Sequence, residues 1–258
     1  MPELFDTRLR ALRRDRASKA GPELFLFERA FEDCVERISL LQRQFDRALL
    51  LGCPDADWPA RLRDLARNVE TLDPGPLFAA AAQGKTVMED RWEPAPGRYD
   101  LVVAIGTLDT VNDLPLALRL IGYGMAGDAP FLAAMSGGDT LPQLRTAMRA
   151  ADALGAGAAA HVHPRIEPSA LAALLTDAGF TNPVVDIDRV AVGYPSFDRL
   201  VGDLRQMGST NMLNARARFI GRAGRKAAAD AFRLAGDGSR TTEIFEILHL
   251  ACWTPNQR

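Results

Sequence analysis

The chain has 258 residues, 47% of them hydrophobic and 25% charged, which suits one large α/β domain or one domain with a helical attachment. A formal net charge of -2 argues against a nucleic-acid binder, and no apolar run is long enough to span a membrane. Three histidines and three scattered cysteines, Cys34, Cys53 and Cys252, suggest neither a metal site nor a disulfide framework, and without a signal-type segment the expected location is cytoplasmic.

Residues 1–45 read as an N-terminal helical extension or lid, because Leu24, Phe27, Phe31, Val35 and Ile38 recur at steps of three and four. Arg8, Arg10, Arg13, Arg14 and Arg16 precede that stripe; they read as a solvated helix face, with a basic lid or partner-docking arm as the other reading. Residues 46–258 read as a single globular unit. Strands are expected at 48–51, 69–72, 86–88, 101–105, 131–135, 184–187 and 243–253. Helices are expected at 61–68, 115–123, 140–154, 168–178, 197–207 and 215–234, and Gly155-Ala156-Gly157 reads as a loop. Short apolar strands alternating with helices predict a parallel sheet covered on both faces, which binds ligands beyond the carboxyl ends of its strands.

The candidate site residues follow from that rule. The first strand ends in Gly52-Cys53-Pro54-Asp55-Ala56-Asp57, where a glycine permits close approach of a ligand to the backbone. The second ends at Asp73, about twenty residues on, the spacing at which a carboxylate holds a ribose diol; a turn residue of Asp-Pro-Gly is the plainer account. Glu89 and Asp90 follow the third strand and could bond an adenine amino group, or face solvent. After Ile105, Gly106-Thr107-Leu108-Asp109 would flank the reacting atoms, with Asp109 as a general base or an N-cap. Asp139 or Thr140 would cap the following helix, or their loop would cover a substrate mouth. His161 and His163 alternate in an extended stretch that lacks a third metal ligand.

Tyr99-Asp100-Leu101-Val102-Val103, Val111-Asn112-Asp113-Leu114-Pro115, Gly137-Gly138-Asp139-Thr140-Leu141, Val185-Asp186-Ile187-Asp188, Tyr194-Pro195, Asp203-Leu204, Met207-Gly208 and Asn211, with Phe5-Asp6 before the arginines, carry a resemblance. The chain resembles the class I S-adenosylmethionine-dependent methyltransferases. Within them it is similar to the group holding the bacterial malonyl-carrier-protein methyltransferases and the mitochondrial complex I assembly factor of methyltransferase fold. The resemblance implies a Rossmann-like α/β fold: a seven-stranded, mostly parallel sheet with an antiparallel last strand and helices on both faces. It implies S-adenosylmethionine as cofactor, held by Gly52, Cys53, Asp73, Glu89, Asp90, Ile105 and Gly106, with Asp109 as the catalytic candidate. It also implies methyl transfer to a small-molecule or protein acceptor. The other reading is an assembly factor for a respiratory-complex subunit, or an arginine-hydroxylase-like activity. The sequence departs from the family at Pro54 and Ala56, where glycines would stand, and at Asp109-Thr110 and Gly127-Asp128-Ala129. Pro54 has no N–H to offer an anion, and Asp55 and Asp57 add negative charge where a cofactor carboxylate would lie.

Overall fold

A strand buried on both faces must be apolar throughout, and Leu101–Ile105 at the middle of this sheet is. The computed structural model describes residues 3–155, 158–215 and 219–256. Its strands are β1 (Phe45–Leu51), β2 (Ala66–Asp73), β3 (Lys85–Thr86), β4 (Leu101–Ile105), β5 (Pro130–Ser136), β6 (Thr181–Tyr194) and β7 (Thr241–Trp253). They form one seven-stranded sheet in the order β3-β2-β1-β4-β5-β7-β6. All neighbours run parallel except β7, which is antiparallel to both β5 and β6. The order reverses between β1 and β4, which opens a ligand crevice at their carboxyl ends.

The helices are α1 (Thr7–Ala20), α2 (Phe25–Leu40), α3 (Trp58–Leu62), α4 (Pro76–Ala81), α5 (Leu114–Gly124), α6 (Pro142–Asp152), α7 (Pro168–Asp177), α8 (Phe197–Gln206) and α9 (Gly221–Leu234). One sheet face sends Leu49, Leu51, Val102, Ala104 and Phe131 against α5 and α7. The other sends Ala48, Leu50, Val103 and Ile105 against α2 and α3, where Phe31 stacks on Trp58 at 4.3 Å between ring centroids. A third apolar cluster joins α6, α8 and α9 to Tyr194 and Phe245.

Several elements differ from the sequence expectation. The expected single N-terminal helical segment is two helices, because Gly21 and Pro22 end α1 and α2 starts afresh at Phe25. The expected helix at 61–68 stops at Leu62, since Ala66 already pairs with Phe45 in the β1–β2 ladder. The α4 turn was not anticipated. β6 is far longer than 184–187: it is the edge strand, and its outward Asp186 and Asp188 pair with Arg37 and Arg29 of α2 rather than marking a strand end. Of the expected 155–157 loop, residues 156–157 lie outside the described residues, as do residues 216–218 of the expected helix at 215–234.

The cap of α6 also differs. Neither Asp139 nor Thr140 serves it; Leu141 is the N-cap, and Glu243 of β7 accepts from the N–H groups of Gln143 (3.1 Å) and Leu144 (2.8 Å). Asp139 instead pairs with Arg189, and the Thr140 hydroxyl bonds the Glu246 carbonyl. Glu243→Ala therefore leaves buried helix N–H groups unpaired and should cost about 1–3 kcal/mol in urea unfolding. Asp139→Ala, which removes only a surface pair, should stay within about 0.5 kcal/mol of the parent.

Candidate functional site

The site is built at the strand tips on either side of the order reversal. Gly52 ends β1 with φ +81°, and a Cβ there would lie 2.3 Å from the Ile105 carbonyl oxygen, so only glycine fits. Its N–H donates to Leu72 O at 2.8 Å, which draws the loop after β1 against the end of β2. The next N–H, of Cys53, donates to Asp73 Oδ2 at 2.8 Å, and Gly75 N–H donates to Asp73 Oδ1 at 2.7 Å. The structure shows the turn role of Asp73, whose carboxylate is buried at the β2 tip.

That carboxylate is also an ion-pair partner. Arg14 of α1 donates through Nε to Asp73 Oδ1 (2.8 Å) and through Nη2 to Oδ2 (2.5 Å). One turn earlier, Arg10 grips Glu89 through Nη1 and Nη2 at 2.7 and 2.8 Å, and its Nε and Nη2 reach Thr110 Oγ1 and Thr107 O. Arg10 and Arg14 are 4% and 5% exposed, Asp73 and Glu89 0% and 1%. This corrects the solvated-face reading of the arginine run: Arg8 and Arg16 face solvent, whereas Arg10 and Arg14 lie four residues apart and point inward together. Burial alone would lower the Arg10 pKa, but the Glu89 carboxylate against it outweighs this and holds it above the usual value.

The remaining candidates divide. Asp109 lies in a single 3-10 turn (Leu108–Thr110) and is paired with Arg165, a residue the sequence reading did not single out. Asp90 accepts from Asp113 N–H at 3.2 Å rather than facing the crevice alone. Gly106 is packed against the Phe27 ring of α2, and Ile105 belongs to the core. Asp55 turns its carboxylate onto Asp57 N–H within its own loop. A cavity of about 70 Å³ beside the β4 and β5 tips is lined by Phe27, Asp109, Met135, Ser136, Arg165 and Glu246, among others. A polar gap of about 20 Å³ adjoins it among Arg10, Arg14, His163, Arg165 and Ser209.

The two histidines part ways. His161 Nε2 lies 2.8 Å from Asp152 of α6, and His163 Nε2 accepts the Met212 N–H at 3.0 Å. Among the described residues no group of three or more His, Cys, Asp or Glu could hold a metal ion, and no helix is long and apolar enough to cross a membrane.

The strand tips thus bring together a close-approach glycine, a carboxylate at the end of β2 and another after β3, both carboxylates paired with arginines of α1. Comparison with known proteins agrees with the fold. A family model described as a methyltransferase domain matches residues 23–184. The mitochondrial arginine-hydroxylase NDUFAF5 of Rattus norvegicus is 30% identical over 97% of this chain and 77% of its own length. The malonyl-[acyl-carrier protein] O-methyltransferase of Laribacter hongkongensis is 30% identical over 70% of this chain and 60% of its own. The solved structure of YcgJ from Bacillus subtilis aligns with a TM-score of 0.57 at 10% identity, covering 86% of this chain and 97% of that one. The chain belongs to the class I S-adenosylmethionine-dependent methyltransferase family.

His163 yields a pH test. Burial, reinforced by nearby Arg165, pushes its pKa down to about 4, so the fold keeps it neutral with Nε2 as acceptor. Between pH 6.5 and 4 the unfolded chain then binds more protons than the folded one, so this stability is present above pH 6.5 and is lost as pH falls. Urea unfolding at pH 7.5 and 5 should show the parent losing about 2 kcal/mol more than His163→Gln, which retains an acceptor for Met212.

Proposed function

We propose that this chain is an S-adenosylmethionine-dependent methyltransferase. Asp73 would hold the ribose diol, Glu89 the adenine amino group, and Gly52 and Gly106 the close backbone approaches; Cys53, Asp90 and Ile105 would support those contacts rather than make them. The observation that carries the reading is the fixed Asp73 carboxylate, set beside the Gly52 turn by the Cys53 and Gly75 N–H groups. The bound cofactor supplies an electrophilic methyl group, and such transfer requires chiefly alignment of the acceptor with that group.

The acceptor would enter the cavity beside β4 and β5. Phe27 and Met135 would exclude water there, while Ser136 and Arg165 would orient polar groups of the acceptor. Asp109 would hold Arg165 in place rather than act as a free base, since its carboxylate is already engaged by that guanidinium group. A small molecule or a protein side chain suits this geometry, and the resemblance to a complex I assembly factor makes a respiratory-complex subunit one acceptor to try.

One observation favours a second reading, in which the fold has lost catalysis and serves as an assembly factor. Pro54 stands in the loop where a further N–H would face the cofactor. Isothermal titration with S-adenosylhomocysteine separates the two. Saturable binding, lost in Asp73→Ala while a circular dichroism melt shows that variant folded, is the expected result. No binding up to millimolar ligand in any form of the chain would overturn the methyltransferase reading.

A further inference from the structure

Both carboxylates proposed for the nucleoside are engaged by α1 as it lies, and that of Asp73 has no acceptor position left. A carboxylate offers about four acceptor positions. Those of Asp73 are filled by Cys53 N–H, Gly75 N–H and two bonds from Arg14. A ribose diol can bond Asp73 only by replacing Arg14. Glu89 is engaged on both oxygens by Arg10.

Side-chain rotation alone would not make room. α1 itself lies close against the β2 end: a Cβ on Gly75, two residues past Asp73, would be 2.7 Å from Arg14 Cβ. Beside the β4 end, the gap between α1 and Gly106, Asp109 and Thr110 is about 20 Å³, whereas small-ligand pockets run to roughly 300 Å³ or more.

The helix is also unusual in what it buries. Its inward residues are Arg10, Arg14 and Ala17, so two guanidinium groups occupy positions where a core-packed helix would carry apolar side chains. Ahead of it, Phe5 is pinned by Asn112, which bonds both its N–H and its carbonyl, and packs with Met212 and Leu213. Behind it, Gly21 has φ +83° with nothing within 4 Å of a Cβ, leaving space about the joint between α1 and the core-packed α2.

We propose that α1 is an internal ligand of the nucleoside subsite: Arg14 and Arg10 hold Asp73 and Glu89 in the resting chain, and the cofactor binds only to molecules in which α1 has lifted. This rests on the methyltransferase reading and adds its regulation. A cofactor that needs a minor conformation binds with an apparent dissociation constant raised by the inverse of that population. Whatever loosens α1 therefore tightens cofactor binding.

The test uses the full chain and S-adenosylhomocysteine. Arg10→Gln/Arg14→Gln should bind roughly tenfold or more tightly than the parent in isothermal titration. Phe5→Ala leaves both ion pairs in place but removes the apolar anchor ahead of α1 against Met212 and Leu213; it should shift in the same direction and covers the case in which the double variant fails to fold. Hydrogen exchange gives an independent readout: saturating ligand should speed exchange across Thr7–Ala20 in the parent. Equal affinity in parent and variants, or slower exchange of α1 with ligand bound, would overturn the proposal and leave the methyltransferase reading intact, with α1 a lid over the cofactor. Absence of binding in the parent and every variant would overturn both.

Discussion

One fully buried carboxylate, Asp73, ties together the parts of this molecule that matter for function. It closes the turn after β2 through Gly75, fixes the loop after β1 through Cys53, and anchors α1 through Arg14. An unpaired polar group at that depth would be costly, and four hydrogen bonds meet this one. Any ligand that takes Arg14's place exchanges charge-assisted bonds for hydroxyl donors, which are weaker partners for a carboxylate. The resting arrangement thus has an energetic advantage that a nucleoside must overcome with contacts elsewhere, along the Gly52 and Gly106 backbone and at Glu89.

The strand skeleton was legible because its physics is local. An apolar run such as Leu101-Val102-Val103-Ala104-Ile105 cannot be solvated, and its position between helical stretches leaves it only the middle of a parallel sheet. The positions of Gly52, Asp73, Glu89 and Asp109 followed from the same rule, since ligands meet such sheets at the strand tips. Boundaries were less legible where charge and pairing compete. The run from Val190 to Tyr194 continues β6 only because β7 pairs with it residue by residue, a partner some fifty residues away along the chain.

The engagement of the site was not legible at all. Arg10 and Glu89 are 79 residues apart, and Arg14 and Asp73 are 59 apart. Nothing within a helix that also carries Arg8, Arg13 and Arg16 distinguishes the two arginines that turn inward. A spacing of four residues was present as a signal, but it marks any helix face, wet or dry. Arg165 escaped notice for a related reason: it lies in an irregular stretch without periodicity, and only the fold brings it to Asp109. Sequence patterns report which residues avoid water; they say little about which charges will find one another.

The same ion pairs bear on the loop that departs most from its family. With Pro54 lacking an N–H and Asp55 folded onto Asp57, the turn after β1 keeps its polar groups occupied within itself and with β2. The charge of Asp73 is met by α1 instead, through Arg14. A family member with a full glycine loop could present several backbone donors to its cofactor. Here the positive charge in the crevice is supplied by guanidinium groups on a helix that can be withdrawn. The arginines that neutralise the crevice are thus the groups a cofactor must displace, and the loop after β1, with Pro54 in it, has fewer backbone donors to offer in exchange.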